Sequence, residues 1–147
     1  MEKTLVLLKP GCLQRRIAGE IIHRFERKGL KIIALKMIQM DRLTAETHYA
    51  EHREKAFYGP LVEYITSGPI IALLLEGEEA ISIVRRLAGP TSVDDACPGT
   101  IRGDYAARTR LNIVHASDSP ASAERECALF FRPGEVYVWE DGNQIWF

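Results

Sequence analysis

The sequence predicts an α+β sandwich of the ferredoxin-like βαββαβ plan, a four-stranded antiparallel sheet with helices on one face. Three observations carry that reading. Four strand-like segments fall at residues 4–8, 30–40, 70–75 and 111–115, the first and third apolar throughout and the second loosely alternating and rich in Ile and Leu. Amphipathic stretches with apolar residues three and four apart separate the first from the second and the third from the fourth. The chain has 147 residues, enough for one core and one domain.

Residues 4–8 form an unbroken apolar run that Lys9-Pro10-Gly11 ends, because proline and glycine interrupt regular structure. Ile17, Ile21, Ile22 and Phe25 recur at helical spacing within 14–28, and Gly29 is a natural stop. A second strand follows over 30–40. Asp41 or Thr44 can cap a helix through about His52, and a second short helix covers 61–65, so an extra helical hairpin is inserted here. The turn Ser67-Gly68-Pro69 leads to 70–75, an uninterrupted apolar strand that implies burial on both faces. Residues 78–87 read as a helix with Glu78 and Glu79 in its first turn, where the helix dipole favours acids. Residues 89–104 read as a long irregular loop, of a kind that is usually functional. The last strand over 111–115 and a helix opened by Ser119-Pro120 complete the plan.

Composition excludes several classes. A net charge of −1 supplies no field for nucleic acid, so no specific nucleic-acid partner is expected. Three widely spaced cysteines, Cys12, Cys97 and Cys127, form neither a disulfide framework nor a zinc knuckle. No apolar run approaches the roughly 20 residues that span a bilayer, and the five-residue run near the start is too short for a signal core. The expectation is a cytoplasmic protein with no membrane partner.

The densest polar cluster is Asn112-Ile113-Val114-His115-Ala116-Ser117-Asp118-Ser119. A histidine at the end of an apolar strand, followed by small residues, suits a nucleophile that a substrate must approach. A strand end followed by a helix cap accounts for the same residues without chemistry. Between residues 85 and 110 five arginines face three aspartates, a local excess of two positive charges in a chain whose total is negative. Arg102 lies between Gly99 and Gly103, where backbone and guanidinium can approach an anion such as phosphate; a solvated loop is the plainer account. Lys9 at the first strand end suits neutralisation of developing phosphoryl charge, or an ordinary turn. His48-Tyr49-Ala50-Glu51-His52 matches the H-x-x-E-H pattern of some zinc proteases, but the chain is short for such an enzyme and an exposed helix is expected there. His23 falls on the polar side of the first helix.

Residues 112–118 match the signature N-x-x-H-[GA]-S-D, and with collinear segments at 4–10, 14–15, 19–22, 48–49, 57–64, 67–69, 98–104 and 122–124 the sequence resembles the nucleoside diphosphate kinase family over residues 3–132. The resemblance implies transfer of the γ-phosphate of a nucleoside triphosphate, typically ATP, to a nucleoside diphosphate by a ping-pong route through a phosphohistidine. It implies His115 as nucleophile, Glu126 on the other ring nitrogen to fix the tautomer, and Ser117 supporting that glutamate. Lys9 would touch the transferred phosphate; Arg85, Thr91 and Arg102 would hold the phosphates, making 89–104 a nucleotide-binding loop. Asn112 would contact the ribose hydroxyl, Phe57 would stack on the base, Leu61 would line the wall beside it, and Tyr49 would position the catalytic end. Magnesium would arrive with the nucleotide, so no metal site in the protein is expected. The family also implies a homo-oligomer, tetramer or hexamer, built from dimers.

The chain departs from the family in Gly11-Cys12 after Lys9-Pro10, and in Val93 where many members have proline. The domain is read as 1–132. The tail 133–147, with Val136, Tyr137, Val138, Trp139 and Ile145-Trp146-Phe147, is too apolar to stay solvated and is expected to pack on the core or on a neighbouring subunit. A non-catalytic nucleotide-binding module and a phosphohistidine donor to partner proteins are the competing functional readings.

Overall fold

A computed structural model describes residues 1–147. The strands are β1 (Glu2–Leu8), β2 (Lys31–Ile38), β3 (Ile70–Gly77) and β4 (Val114–Ala116), in the sheet order β2-β3-β1-β4 with every pair antiparallel. The helices are α1 (Ala18–Arg27), α2 (Arg42–His48), α3 (Tyr58–Thr66), α4 (Ala80–Ala88), α5 (Ile101–Tyr105) and α6 (Pro120–Phe130).

The central strands β1 and β3 are buried on both faces, and alternate residues feed two cores. Val6, Leu8, Leu73 and Leu75 meet Ile21 and Phe25 of α1 and Val84 of α4 on one face. Leu5, Leu7, Ala72 and Leu74 meet Ala45 of α2, Val62 and Ile65 of α3 and Phe130 of α6 on the other. The two helices of the plan thus share one face, and the inserted pair joins α6 to cover the opposite one. Each fully buried Leu, Ile or Phe contributes about 1.5–3 kcal/mol of transfer free energy, so both layers anchor the strand ends that carry polar groups.

Several boundaries differ from expectation, each for a local reason. Helix α1 starts at Ala18, not at Gln14, because residues 11–16 close a turn in which Gly11 N–H donates to Gln14 Oε1 and Arg16 takes φ 58°. The helix capped by Asp41, which accepts from Thr44 N–H at 2.7 Å, ends at His48; a separate 3-10 turn covers Ala50–His52. The H-x-x-E-H residues therefore straddle a break and share no helical face, and His48 is buried, not exposed. Helix α3 is longer than the 61–65 expected.

Glu78 and Glu79 precede α4 instead of occupying its first turn, Glu79 lying in the left-handed region at φ 51°. The carboxylate that meets this helix end is Glu2, whose Oε2 accepts from Ile81 N–H at 3.2 Å. The loop 89–104 is more regular than expected, with a 3-10 turn at Val93–Asp95 and the start of α5, capped by Thr100. Strand β4 begins at Val114, since Thr109–Leu111 forms a 3-10 turn and Ile113 adopts φ 61°.

The tail lies against β2. Tyr137 N–H donates to Ile33 O at 2.8 Å, Trp139 Nε1–H donates to Ile32 O at 3.0 Å, and Lys36 pairs with Glu135 at 2.9 Å. The Phe147 ring rests where a side chain on Gly29 would stand, 2.5 Å from its missing Cβ.

Candidate active site

The ends of β1 and β4 open into a cleft of roughly 590 Å³ between the α2–α3 insertion and the 89–112 segment. Antiparallel pairing sets Leu7 opposite His115, so β1 carries Lys9 and β4 carries His115 to the same end of the sheet. Lys9, Tyr49, Phe57, Leu61, Arg85, Thr91, Arg102, Asn112, His115 and Glu126 all line this cleft. Ser117 stands behind it, fully buried.

His115 is about one-fifth exposed, and its Nε2 lies 2.9 Å from Glu126 Oε2. Ser117 Oγ–H donates to the same oxygen at 2.7 Å and accepts from Leu5 N–H at 3.2 Å. The sheet backbone therefore holds the serine, the serine the glutamate, and the glutamate the imidazole. Burial disfavours charge on Glu126, but the hydrogen bonds from His115 and Ser117 outweigh it and hold its pKa below the usual value. An ionised Glu126 accepts from Nε2–H, which leaves Nδ1 as the ring's free electron pair.

The opposite wall is cationic. Arg102, buried on α5, donates to Gly89 O and Val114 O, both at 2.6 Å, while its Nε has no partner. Arg85 of α4 donates to Ala116 O at 3.3 Å. Lys9 Nζ donates to Asn112 Oδ1 at 2.8 Å, and Asn112 Nδ2 reaches Thr91 O at 3.4 Å. None of these three cations takes part in any of the seven ion pairs of the molecule. Burial, reinforced by Arg102, lowers the Lys9 pKa to about 7, and burial together with Arg85 lowers that of Arg102 to about 10. Cations that stand outside any ion pair, beside an imidazole, suit a bound polyphosphate.

The mouth is aromatic, with Phe57 half-exposed and His52 5.4 Å from it, centroid to centroid. Tyr49 is buried at the inner end with its hydroxyl unpartnered, and burial raises its pKa out of the physiological range.

The cleft also contains His48, Glu51, His52, Thr109, Arg110 and Asp118, to which the sequence reading gave no role in the site. The H-x-x-E-H spacing was the signal for the first three. Both of its histidines line the cleft wall, but not from one helix. His48 stacks edge-on against His115 at 4.5 Å, and neither of its ring nitrogens has a partner. Burial, followed by the proximity of the His115 ring and the Lys9 ammonium, lowers its pKa to about 2, so its imidazole is neutral. Cys12 is buried beneath Lys9 and donates to Ile113 O; burial raises its thiol to about 11.

The sequence profile described as nucleoside diphosphate kinase matches residues 2–136. A nucleoside diphosphate kinase of Treponema pallidum (strain Nichols) is 60% identical over 99% of this chain and 98% of its own, and one of Archaeoglobus fulgidus is 55% identical over 99% and 97%. Among solved structures, a halophilic nucleoside diphosphate kinase from Halobacterium salinarum in complex with CDP superposes with a TM-score of 0.96 at 44% identity, covering 99% of this chain and 97% of that one. A nucleoside diphosphate kinase family protein from Babesia bovis gives 0.95 at 44%, covering 99% of both chains. Fold, cleft and relatives agree over nearly the whole length, and the chain belongs to the nucleoside diphosphate kinase family.

Proposed function

We propose that His115 is the group through which this kinase passes phosphate from a nucleoside triphosphate to a nucleoside diphosphate. The observation that carries the reading is the 2.9 Å contact of its Nε2 with Glu126, which leaves the free electron pair on Nδ1 in a cleft that Lys9, Arg85 and Arg102 also line. The Nδ1 lone pair attacks the γ-phosphorus, the bond from phosphorus to the bridging oxygen breaks, and that oxygen leaves with the electrons on the nucleoside diphosphate. In the second half a terminal oxygen of another diphosphate attacks the same phosphorus, and the P–N electrons return to Nδ1. No proton need move at His115, so Glu126 and Ser117 act by orientation.

Lys9, Arg102 and Arg85 neutralise charge on the equatorial oxygens, which is the main protein contribution in such transfers. Alignment of nitrogen, phosphorus and leaving oxygen contributes up to about 7–11 kcal/mol. Thr91 and Asn112 complete the phosphate and ribose contacts, Phe57 stacks on the base with Leu61 beside it, and Tyr49 holds the inner wall. Stacking is indifferent to base identity, so several nucleosides are accepted. Nucleotides of this family carry a divalent cation, and the donor set here suits a Mg²⁺ brought by the substrate: the phosphate wall is built of cations, not carboxylates. Bound there, the ion would neutralise phosphate oxygens.

The same reading makes 1–132 the kinase unit and 133–147 an appended strap. Assembly into a homo-oligomer, a tetramer or hexamer built from dimers, is checked by light scattering. No helix is long and apolar enough to cross a membrane, and we place the enzyme in the cytoplasm, where its three free cysteines would stay reduced.

The decisive experiment is incubation with γ-labelled ATP. Acid-labile, alkali-stable phosphate should appear on the protein and pass to added GDP. His115→Ala should lose at least 99% of it, and retention of label in that variant would sink the assignment.

A further inference from the structure

His48 is a buried side chain that the transfer mechanism does not use. Its two ring nitrogens are shielded from solvent and have no hydrogen-bond partner, an uncommon and costly state for a buried polar group. It lines the cleft beside His115 and Glu126, and one donor atom from each of the three residues lies within 4.8 Å of the other two.

We propose that His48, His115 and Glu126 form a binding site for a transition-metal dication of the zinc type, and that the bound metal blocks phosphorylation of His115. Two imidazoles and a carboxylate make a three-ligand zinc set that leaves a fourth position open, here toward the cleft. Zinc holds such atoms at about 2.0–2.2 Å, so neighbouring ligand atoms stand roughly 3–3.5 Å apart. The 2.9 Å between His115 Nε2 and Glu126 Oε2 is already near that spacing, and a small movement of the His48 ring closes the third side. Ser117 donates to Glu126 from behind, the kind of outer contact that orients a metal-bound carboxylate. The nitrogen donors select against Mg²⁺, a hard cation that favours oxygen, so the site is separate from the cation that accompanies nucleotide.

The inhibitory half rests on His115 being the nucleophile; the metal site does not. A neutral imidazole offers one lone pair. If the metal takes Nε2, the ring proton moves through solvent to Nδ1 and caps the nucleophile. If it takes Nδ1, the metal occupies the nucleophile directly. Neither arrangement leaves an electron pair for phosphorus.

The test is calorimetric titration of metal-free, nucleotide-free full-length protein with zinc chloride, with Co²⁺ absorption as a second readout. One ion per chain should bind with a micromolar or tighter constant and give the intense bands of tetrahedral Co²⁺. His48→Gln and His115→Asn should each weaken binding at least tenfold, two variants guarding against one that misfolds. Pre-incubation of the unaltered protein with free zinc at ten or more times its measured dissociation constant should reduce acid-labile labelling in a short pulse of magnesium-ATP at least tenfold, and a chelator should restore it. Absence of stoichiometric binding, or binding unchanged in both variants, as when exposed Cys97 holds the ion, would overturn the site. Metal bound at these residues with labelling undiminished overturns the inhibitory half. Metal bound as expected on a protein that forms no phosphohistidine even without zinc overturns the kinase assignment of His115 and leaves the metal site standing.

Discussion

The two walls of the cleft solve opposite problems. The wall of His115, Glu126 and Ser117 is closed: Ser117 accepts from the sheet backbone, and the carboxylate takes one hydrogen bond from the serine and one from the imidazole. The wall of Lys9, Arg85 and Arg102 is open: its cations rest on neutral oxygens and push against one another. The first wall is complete in the free protein and sets an orientation. The second is electrostatically unfinished, and an anion completes it. A buried charge without a counter-charge costs stability, so binding strength here is drawn from strain already present in the fold.

The largest effect that separates the walls is the pH dependence of the free protein. Lys9 has a folded pKa of about 7 against 10.5 when unperturbed, so between these values the unfolded chain holds more protons and stability rises with pH. The penalty is fully present below pH 7 and relieved as pH climbs toward 10, by about 3–5 kcal/mol if Lys9 acts alone. Urea unfolding of the unaltered protein minus that of Lys9→Met should show this rise. Saturating inorganic diphosphate should flatten it, since the anion raises the lysine pKa. A flat difference curve without anion would mean that the second wall is not strained.

Breaking the first wall should leave that curve intact and change rate instead. Glu126→Ala should slow formation of phosphohistidine by roughly 10–100-fold, the range found when the partner that orients a histidine is removed elsewhere. Nucleotide affinity, measured by calorimetry, should stay within about twofold. A fall in affinity matching the fall in rate would contradict the division of labour.

The smallest effect belongs to the mouth. Phe57→Ala removes a half-exposed ring that touches neither wall. KM for nucleotide should rise about five- to tenfold, the low end of a stacking loss, with kcat and the urea midpoint unchanged.

The succession of strands and helices along the chain and most of the cleft were legible in the sequence, for physical reasons that also mark its limits. The apolar run of β3 could be read because both faces are buried. The cationic wall could be read because arginines cluster within one segment. Two of the missed boundaries fall where a non-glycine residue takes positive φ. Arg16 delays α1 and Ile113 delays β4, and nothing in either residue type announces that geometry. His48 was missed because a pattern of histidines at helical spacing looks solvent-facing, while the chain breaks at Tyr49 and leaves the imidazole inside. The hold of the tail on β2 rests on contacts between positions about 100 residues apart, such as Tyr137 N–H with Ile33 O, which local pattern does not encode.

Gly103 fixes one further property. A Cβ there would stand 1.9 Å from Cys97 O, so the loop that presents Arg102 closes on its own backbone, with Asp104 tied to Gly99 N–H and to Arg24. The guanidinium is carried by a clasp that is already shut and not by a lid. Nucleotide binding then has little chain left to order, and its heat-capacity change should reflect the buried base and ribose alone, without the large negative component that accompanies folding on binding.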